Sequence, residues 1–227
     1  MDQNEYVAKI TQLEEQHQFE LSKVSHEIRN PVTLINSFLQ LIVSQHPEIA
    51  NFEYWDKVVD NMDFLKSLLN EISNYNNSRK LHTEEVNIHH FLESIISDLN
   101  VSLNSRHITI ALKKETALPP LPIDVTKMKE AVLNLLRNSC EAIQENGTVE
   151  VLISCDGNDV FIRVKDDGPG IPEEYMDTLF TPFVTHKRDG TGLGLAIVKN
   201  VITAHNGSIL VESNLTSGTV FTITLPI

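Results

Sequence analysis

His26 lies in the string Ser25-His26-Glu27-Ile28-Arg29-Asn30-Pro31, and a histidine in a polar setting can do nucleophilic chemistry. An imidazole with an unperturbed pKa of about 6.5 is mostly neutral in the cell and keeps one ring nitrogen free to attack phosphorus. Glu27 can accept a hydrogen bond from the other ring nitrogen, or take its proton, and so serve as a general base. Asn30, one helical turn after His26, offers an amide that can orient a water. A second group lies far downstream. Glu130, Asn134 and Asn138 recur at four-residue spacing, which on a helix lines three polar side chains along one face. Amide oxygens suit a hard cation that keeps several waters and shares phosphates. The run Gly190-Thr191-Gly192-Leu193-Gly194-Leu195 opens another helical stretch, where backbone N–H groups can hold an anion. Alone, each feature admits a plainer reading: an idle surface histidine, a solvated helix edge, a surface loop.

The elements that must carry these residues follow from periodicity. From Glu5 to about Ser44 there is no glycine and one proline, with apolar residues at Leu21, Val24, Ile28, Ile35, Phe38 and Ile42. Alternating three- and four-residue steps predict a long helix with a coiled-coil stripe. With Val24 at d and Ile28 at a, His26 falls at f, facing solvent. Pro31 predicts a kink rather than an end, because the stripe resumes in register. A turn at His46-Pro47 leads to a second stripe at Trp55, Val58, Met62, Leu65, Leu69 and Ile72. The expectation is an antiparallel hairpin over residues 1–80, paired with a second copy as a dimeric four-helix bundle. Residues 84–227 read as a strand near 85–88, helix 89–104, strand 107–113, helix 124–145 and a hairpin of 148–155 with 159–166. A helix at 193–205 and strands at 208–213 and 218–225 follow. The fold class is α+β: the helical hairpin, then an α/β sandwich whose mixed sheet is covered by helices on one face.

Composition narrows the functions available. With 31 acidic against 18 basic residues and a formal net charge of −13, a broad nucleic-acid footprint is excluded. The chain lacks an apolar run of spanning length, so no membrane contact is expected from it. Two cysteines, Cys140 and Cys155, fit no metal or redox spacing and point to a reducing, cytoplasmic setting. The alternative is the cytosolic part of a membrane-bound sensor whose anchor lies outside the chain. His89 and His90 diverge on a helix and read as a poor metal pair. His205 reads as a cation at a helix end, and His186 as a residue near phosphate.

Taken in order, the motifs resemble those of histidine kinases from about Phe19 to the C-terminus. Ser25 to Pro31 resembles the H-box, and Glu27-x-x-Asn30 the pattern with which such kinases also dephosphorylate their partner. Asn134-Leu-Leu-Arg-Asn138 resembles the N-box, whose second asparagine holds Mg²⁺, here with Glu130 or Asn134 nearby. Asp166-Asp167-Gly168-Pro169-Gly170-Ile171 resembles the G1 box, in which a buried carboxylate accepts the amino hydrogens of adenine; the Asp-x-Gly-x-Gly spacing gives that role to Asp166. Leu179-Phe180-Thr-Pro-Phe183 resembles the F-box, Gly190 to Leu195 the G2 box, and Ser217-Gly218-Thr219 the closing glycine motif.

The resemblance implies a dimerisation and phosphoacceptor hairpin joined to a Bergerat-type ATP-binding domain of the GHKL superfamily. It further implies ATP and Mg²⁺ as cofactors, a homodimer, and a response-regulator receiver domain as partner. Many members carry a lysine or arginine three residues after the metal-binding asparagine, where this chain has Glu141. Lys187, with Arg188 secondary, is expected to supply that charge from a short lid, as in the nitrogen-regulation and sporulation branches. Domain docking through a linker near 78–84 would then control transfer from ATP to His26. Two rivals stay open: a phosphotransfer or scaffold protein with a degenerate nucleotide domain, and a GHKL-type serine kinase or ATP-driven clamp.

Overall fold

The computed structural model describes residues 3–103, 107–143, 145–187 and 190–227, with side chains from residue 20 onward. The chain divides into two compact units, Met1–Asn77 and Ser78–Ile227.

The first unit is the hairpin. Helix α1 runs over Gln3–Gln45 with Pro31 inside it, and helix α2 over Trp55–Asn77. A five-residue 3₁₀ helix, Pro47–Asn51, fills the turn between them. The helix continues past Pro31, whose missing N–H leaves the Glu27 carbonyl without its intrahelical donor.

On α1 the buried line differs from the expected stripe, whereas on α2 it contains Met62 and Leu69 of the stripe expected there. Within the hairpin, Val32, Met62 and Leu69 are buried with Leu39 against them, and Ser25 is buried too. Ser25, Val32 and Leu39 are seven residues apart, all at heptad position e, and the facing helix offers Met62 and Leu69, also seven apart and both on its expected stripe. The stripe at Val24, Ile28, Ile35, Phe38 and Ile42 is left exposed, along with Phe64 and Leu65 of α2. On α1, apolar periodicity therefore marked a face that the single hairpin does not cover.

The second unit is an α/β sandwich. Its five-stranded sheet has the order β2 (Ile108–Lys114), β4 (Gly147–Cys155), β5 (Asp159–Asp166), β7 (Gly218–Pro226), β6 (Ser208–Asn214). β2 and β4 run parallel and the other pairs antiparallel, so the sheet is mixed. Alternation puts Val149, Val151, Ile153, Val160, Ile162, Val164, Phe221, Ile223 and Leu225 into the core. Helices α3 (Ile88–Leu103), α4 (Val125–Ile143) and α6 (Gly194–Ala204) close it with Leu92, Ile95, Leu135, Leu136, Ile197 and Val201, all nearly or fully buried.

The strand expected near 85–88 is present as β1 (Glu84–Val86), whereas its antiparallel partner β3 (Leu121–Ile123) and the short helix α5 (Glu173–Met176) escaped the sequence reading. Leu121-Pro122-Ile123 follows two prolines and reads as loop, although a two-stranded edge tolerates proline.

Asp124 anchors the helix that carries the asparagine row. Its Oδ1 accepts from Lys127 N at 3.0 Å, capping α4, and its Oδ2 accepts from His82 N at 2.8 Å in the linker. Its own N–H donates to His205 Nε2 at 2.9 Å, while His205 Nδ1 donates to the Val201 carbonyl at 2.7 Å. This corrects the reading of His205 as a cation: it is buried, with an Nε2 that must be unprotonated to accept.

Burial raises the Asp124 carboxyl, but the Lys127 and His82 N–H groups outweigh it and hold it below the usual carboxylate range. A depressed folded-state pKa stabilises at pH above the unfolded value of about 3.9, and the stabilisation is lost as pH falls through the folded value. Asp124→Ala is expected to cost about 1–2 kcal/mol of stability near neutral pH. In chemical denaturation, the gap between wild type and Asp124→Asn should close below about pH 4. A gap independent of pH would show that the charge is not what the site uses.

Candidate functional site

His26, Glu27 and Asn30 are all exposed on one turn of α1. Their presentation follows from the seam, because Ser25 and Val32 face α2 and the intervening residues turn outward by about 100° each. Next to His26, the Arg29 guanidinium donates to the Leu69 carbonyl at 3.0 Å and the Ser25 hydroxyl to the same oxygen at 3.5 Å. These two contacts tie the turn carrying His26 to the middle of α2. The sequence reading did not assign Arg29; its signal was the i, i+4, i+7 line through Ser25, Arg29 and Val32.

In the second unit the chemistry gathers around Asp166, which is buried at the end of β5. Its Oδ1 accepts from the backbone N–H groups of Gly168 and Thr219, each at 3.1 Å. The Ser139 hydroxyl of α4 approaches the same carboxylate without a well-formed hydrogen bond, and is a buried polar atom lacking a partner. Burial pushes the Asp166 carboxyl up, aided by the neighbouring Asp167 charge, against the pull of the two N–H groups. Glycine is required at 218, where φ is +84° and a β-carbon would collide with the Asp166 carbonyl oxygen. Asp166 is thus held as a directional acceptor with one oxygen engaged by the backbone. Asp167 clips the loop to the start of β4 by accepting from Thr148 N at 3.0 Å.

The other glycines and their neighbours divide between lining and support. Gly194 opens α6 opposite the Asn134 amide, 3.7 Å from where its β-carbon would lie. Leu193 is fully buried, so its side chain is core and only its backbone can face a ligand; Leu195 in the first turn of α6 and Thr191 are half-buried. Thr191 Oγ1 accepts from Leu193 N at 3.3 Å. Gly192 (φ +72°) accepts from Phe183 N at 3.1 Å, so the F-box and G2 segments are joined through their backbones. Phe180 is half-buried, with the Lys199 ammonium 5.8 Å from its ring. Gly170 and Ile171 make contacts within the protein: Gly170 packs on the Asn214 backbone, and Ile171 N donates to Ser213 Oγ at 2.7 Å. That hydroxyl also lies 3.0 Å from Thr219 Oγ1. Ser213, absent from the sequence reading, thus links both glycine motifs across 42 residues of chain.

On α4, Glu130, Asn134 and Asn138 are half-buried, as the row requires. Lys187 reaches this row: its ammonium donates to Asn138 Oδ1 at 2.9 Å and to Glu141 Oε2 at 2.6 Å. The corner of α4 expected to face a metal therefore already receives a cation, and its donor set fits Mg²⁺. His186 stacks on Tyr175 with ring centroids 3.5 Å apart, a partner the sequence reading missed. Arg188 lies outside the described residues.

His89 and His90, set aside as a metal pair, come together with Glu93 so that one ligand atom from each lies within 4.8 Å of the others. The long side chains converge despite the divergence of their stems.

A sandwich of this topology with an asparagine row, a buried aspartate and two glycine motifs defines an ATPase domain, and residues 123–227 match the family described as histidine kinase-, DNA gyrase B- and HSP90-like ATPase. Sporulation kinase A of Bacillus subtilis is 33% identical over 89% of this chain, which spans 33% of that protein. Full-length ShkA in complex with AMPPNP superposes with a TM-score of 0.77 at 26% identity, covering 91% of this chain and 45% of that one. The catalytic domain of histidine kinase ThkA is 30% identical with a TM-score of 0.60, covering 64% of this chain and 96% of that domain. ThkA solved with the response regulator TrrA covers all of this chain and 68% of that one, with a TM-score of 0.69 at 26% identity. The chain belongs to the histidine kinases and carries their catalytic core. Among the described residues, no helix is long and apolar enough to cross a membrane.

Proposed function

We propose that this chain transfers the γ-phosphoryl group of ATP to His26 and passes it to an aspartate of a response-regulator receiver domain. The observation that carries the reading is one polypeptide joining an exposed histidine in its His-Glu-x-x-Asn setting to a site built from Asp166, Asn138 and Lys187.

In this reading Asp166 selects adenine. Its free carboxylate oxygen accepts from the exocyclic amine, while the edge of guanine presents a carbonyl there. The α6 start at Gly192–Leu195 supplies backbone donors to the phosphates. Asn138 would hold Mg²⁺, which would supply neutralisation of the triphosphate charge. Transfer requires the two units to approach. The free His26 nitrogen then attacks the γ-phosphorus in line, a nitrogen–phosphorus bond forms, the bond to the bridging oxygen breaks, and ADP leaves with its electrons. The proton on the other ring nitrogen passes to Glu27.

ShkA was solved with an ATP analogue and ThkA with a response regulator; the shared architecture supports both partners for this chain. The exposed stripe at Val24, Ile28, Ile35, Phe38 and Ile42 supports a second copy as its cover, giving a four-helix bundle. Asn30, exposed on the same turn as His26, would orient a water that hydrolyses the partner's acyl phosphate. Incubation with Mg²⁺ and γ-labelled ATP should label the protein, and α-labelled ATP should not; label from neither, or from both, contradicts the reading.

A further inference from the structure

The ammonium of Lys187 is divided between two oxygens of α4, Asn138 Oδ1 at 2.9 Å and Glu141 Oε2 at 2.6 Å. The first of these is the oxygen assigned to the metal. The second belongs to an acidic residue at a position where a basic one was expected from the family pattern. The acid pairs with the cation that the lid brings to the same spot. Both side chains are about half exposed, 49% for Lys187 and 55% for Glu141. Water therefore screens the pair and keeps it weak enough to be made and broken in each cycle.

We infer that Glu141 is a positioning residue of the nucleotide site: it latches Lys187 onto Asn138 while the site is empty and releases it when a triphosphate arrives. The inference rests on the nucleotide reading above. A triphosphate carries several negative charges against the single charge of Glu141, so Lys187 moves to the phosphates and Asn138 Oδ1 is freed in the same exchange. The exchange has a definite sign. Breaking the latch opposes binding, so the wild-type chain binds nucleotide less tightly than one in which Lys187 is not held.

The test is titration with the fluorescent analogue trinitrophenyl-ATP in EDTA, which leaves metal out of the comparison. It uses the wild-type chain, Glu141→Gln, Lys187→Met and the double variant; both side chains are exposed, so folding is spared. Glu141→Gln should bind about threefold tighter than wild type, within the range open to an exposed ion pair. The gain should shrink at about 0.5 M salt, where the Debye length is a few ångströms. Lys187→Met should bind more weakly than wild type, and Glu141→Gln should add nothing in its background. The latch is overturned if Glu141→Gln binds equally or more weakly. It is overturned equally if the same tightening appears without Lys187, since Glu141 would then be a plain repelling charge. Analogue binding by wild type with no effect of Glu141→Gln sinks the latch alone; no binding by wild type sinks the nucleotide reading with it.

Discussion

Asp166→Asn should weaken ATP binding by on the order of 100-fold, the scale of losing a buried charge-assisted hydrogen bond and leaving donor against donor, while making the empty domain more stable. The two effects share one cause. Asp166 Oδ1 is engaged by the Gly168 and Thr219 N–H groups, which an asparagine oxygen can still satisfy. The second oxygen, replaced by an amide NH₂, would meet the amino group of adenine as a donor facing a donor. In the empty domain the balance reverses. Burial holds the carboxyl of Asp166 above its ordinary value. A raised folded-state pKa means that the ionised group opposes folding, with the penalty absent below the unfolded pKa of about 3.9 and complete above the folded one. The variant's stability advantage should therefore be present near neutral pH and vanish as pH falls below about 4. Calorimetric titration with ATP and denaturation of the apo protein measure the two halves separately. A loss of both binding and stability would mean that Asp166 is structural, and the adenine assignment would fall.

His26→Gln is the second large expectation: label from γ-labelled ATP should drop to background, on the order of 1,000-fold or more, because no nucleophile remains. Nucleotide affinity should not change, since His26 and the Asp166 site lie in separate compact units. Glutamine keeps the helix and the solvent-facing polarity, so the hairpin should retain its stability. Substantial labelling of the variant would move the acceptor elsewhere and revive the serine-kinase alternative.

The sequence was most readable where chemistry is local. The Ser25-to-Pro31 string, the asparagine row, Asp166 with its glycines and the Gly190-to-Leu195 run are contiguous motifs, each set on the element that spacing predicted. The sheet strands were readable too, because Val149 to Ile153 and Val160 to Val164 alternate with period two. What escaped depends on residues far apart in the chain. Lys187 meets Glu141 across 46 residues, and Asp124 meets His205 across 81. On α1 the buried line was misplaced for another reason, although Met62 and Leu69 of α2 lie on the expected stripe. The α1 line contains Ser25 and Arg29, whose polar ends are satisfied by the Leu69 carbonyl, so it carries a weaker apolar signal than the exposed stripe beside it.

The central claim is that a solvent-facing imidazole receives phosphate from nucleotide held in the C-terminal unit. The most direct test is to digest protein phosphorylated with ATP and Mg²⁺ at alkaline pH and map the modified peptide by mass spectrometry. The expected result is a single acid-labile phosphoryl group on His26. An acid-stable phosphate on a serine or threonine, or an unmodified His26 in protein that has bound ATP, would contradict it.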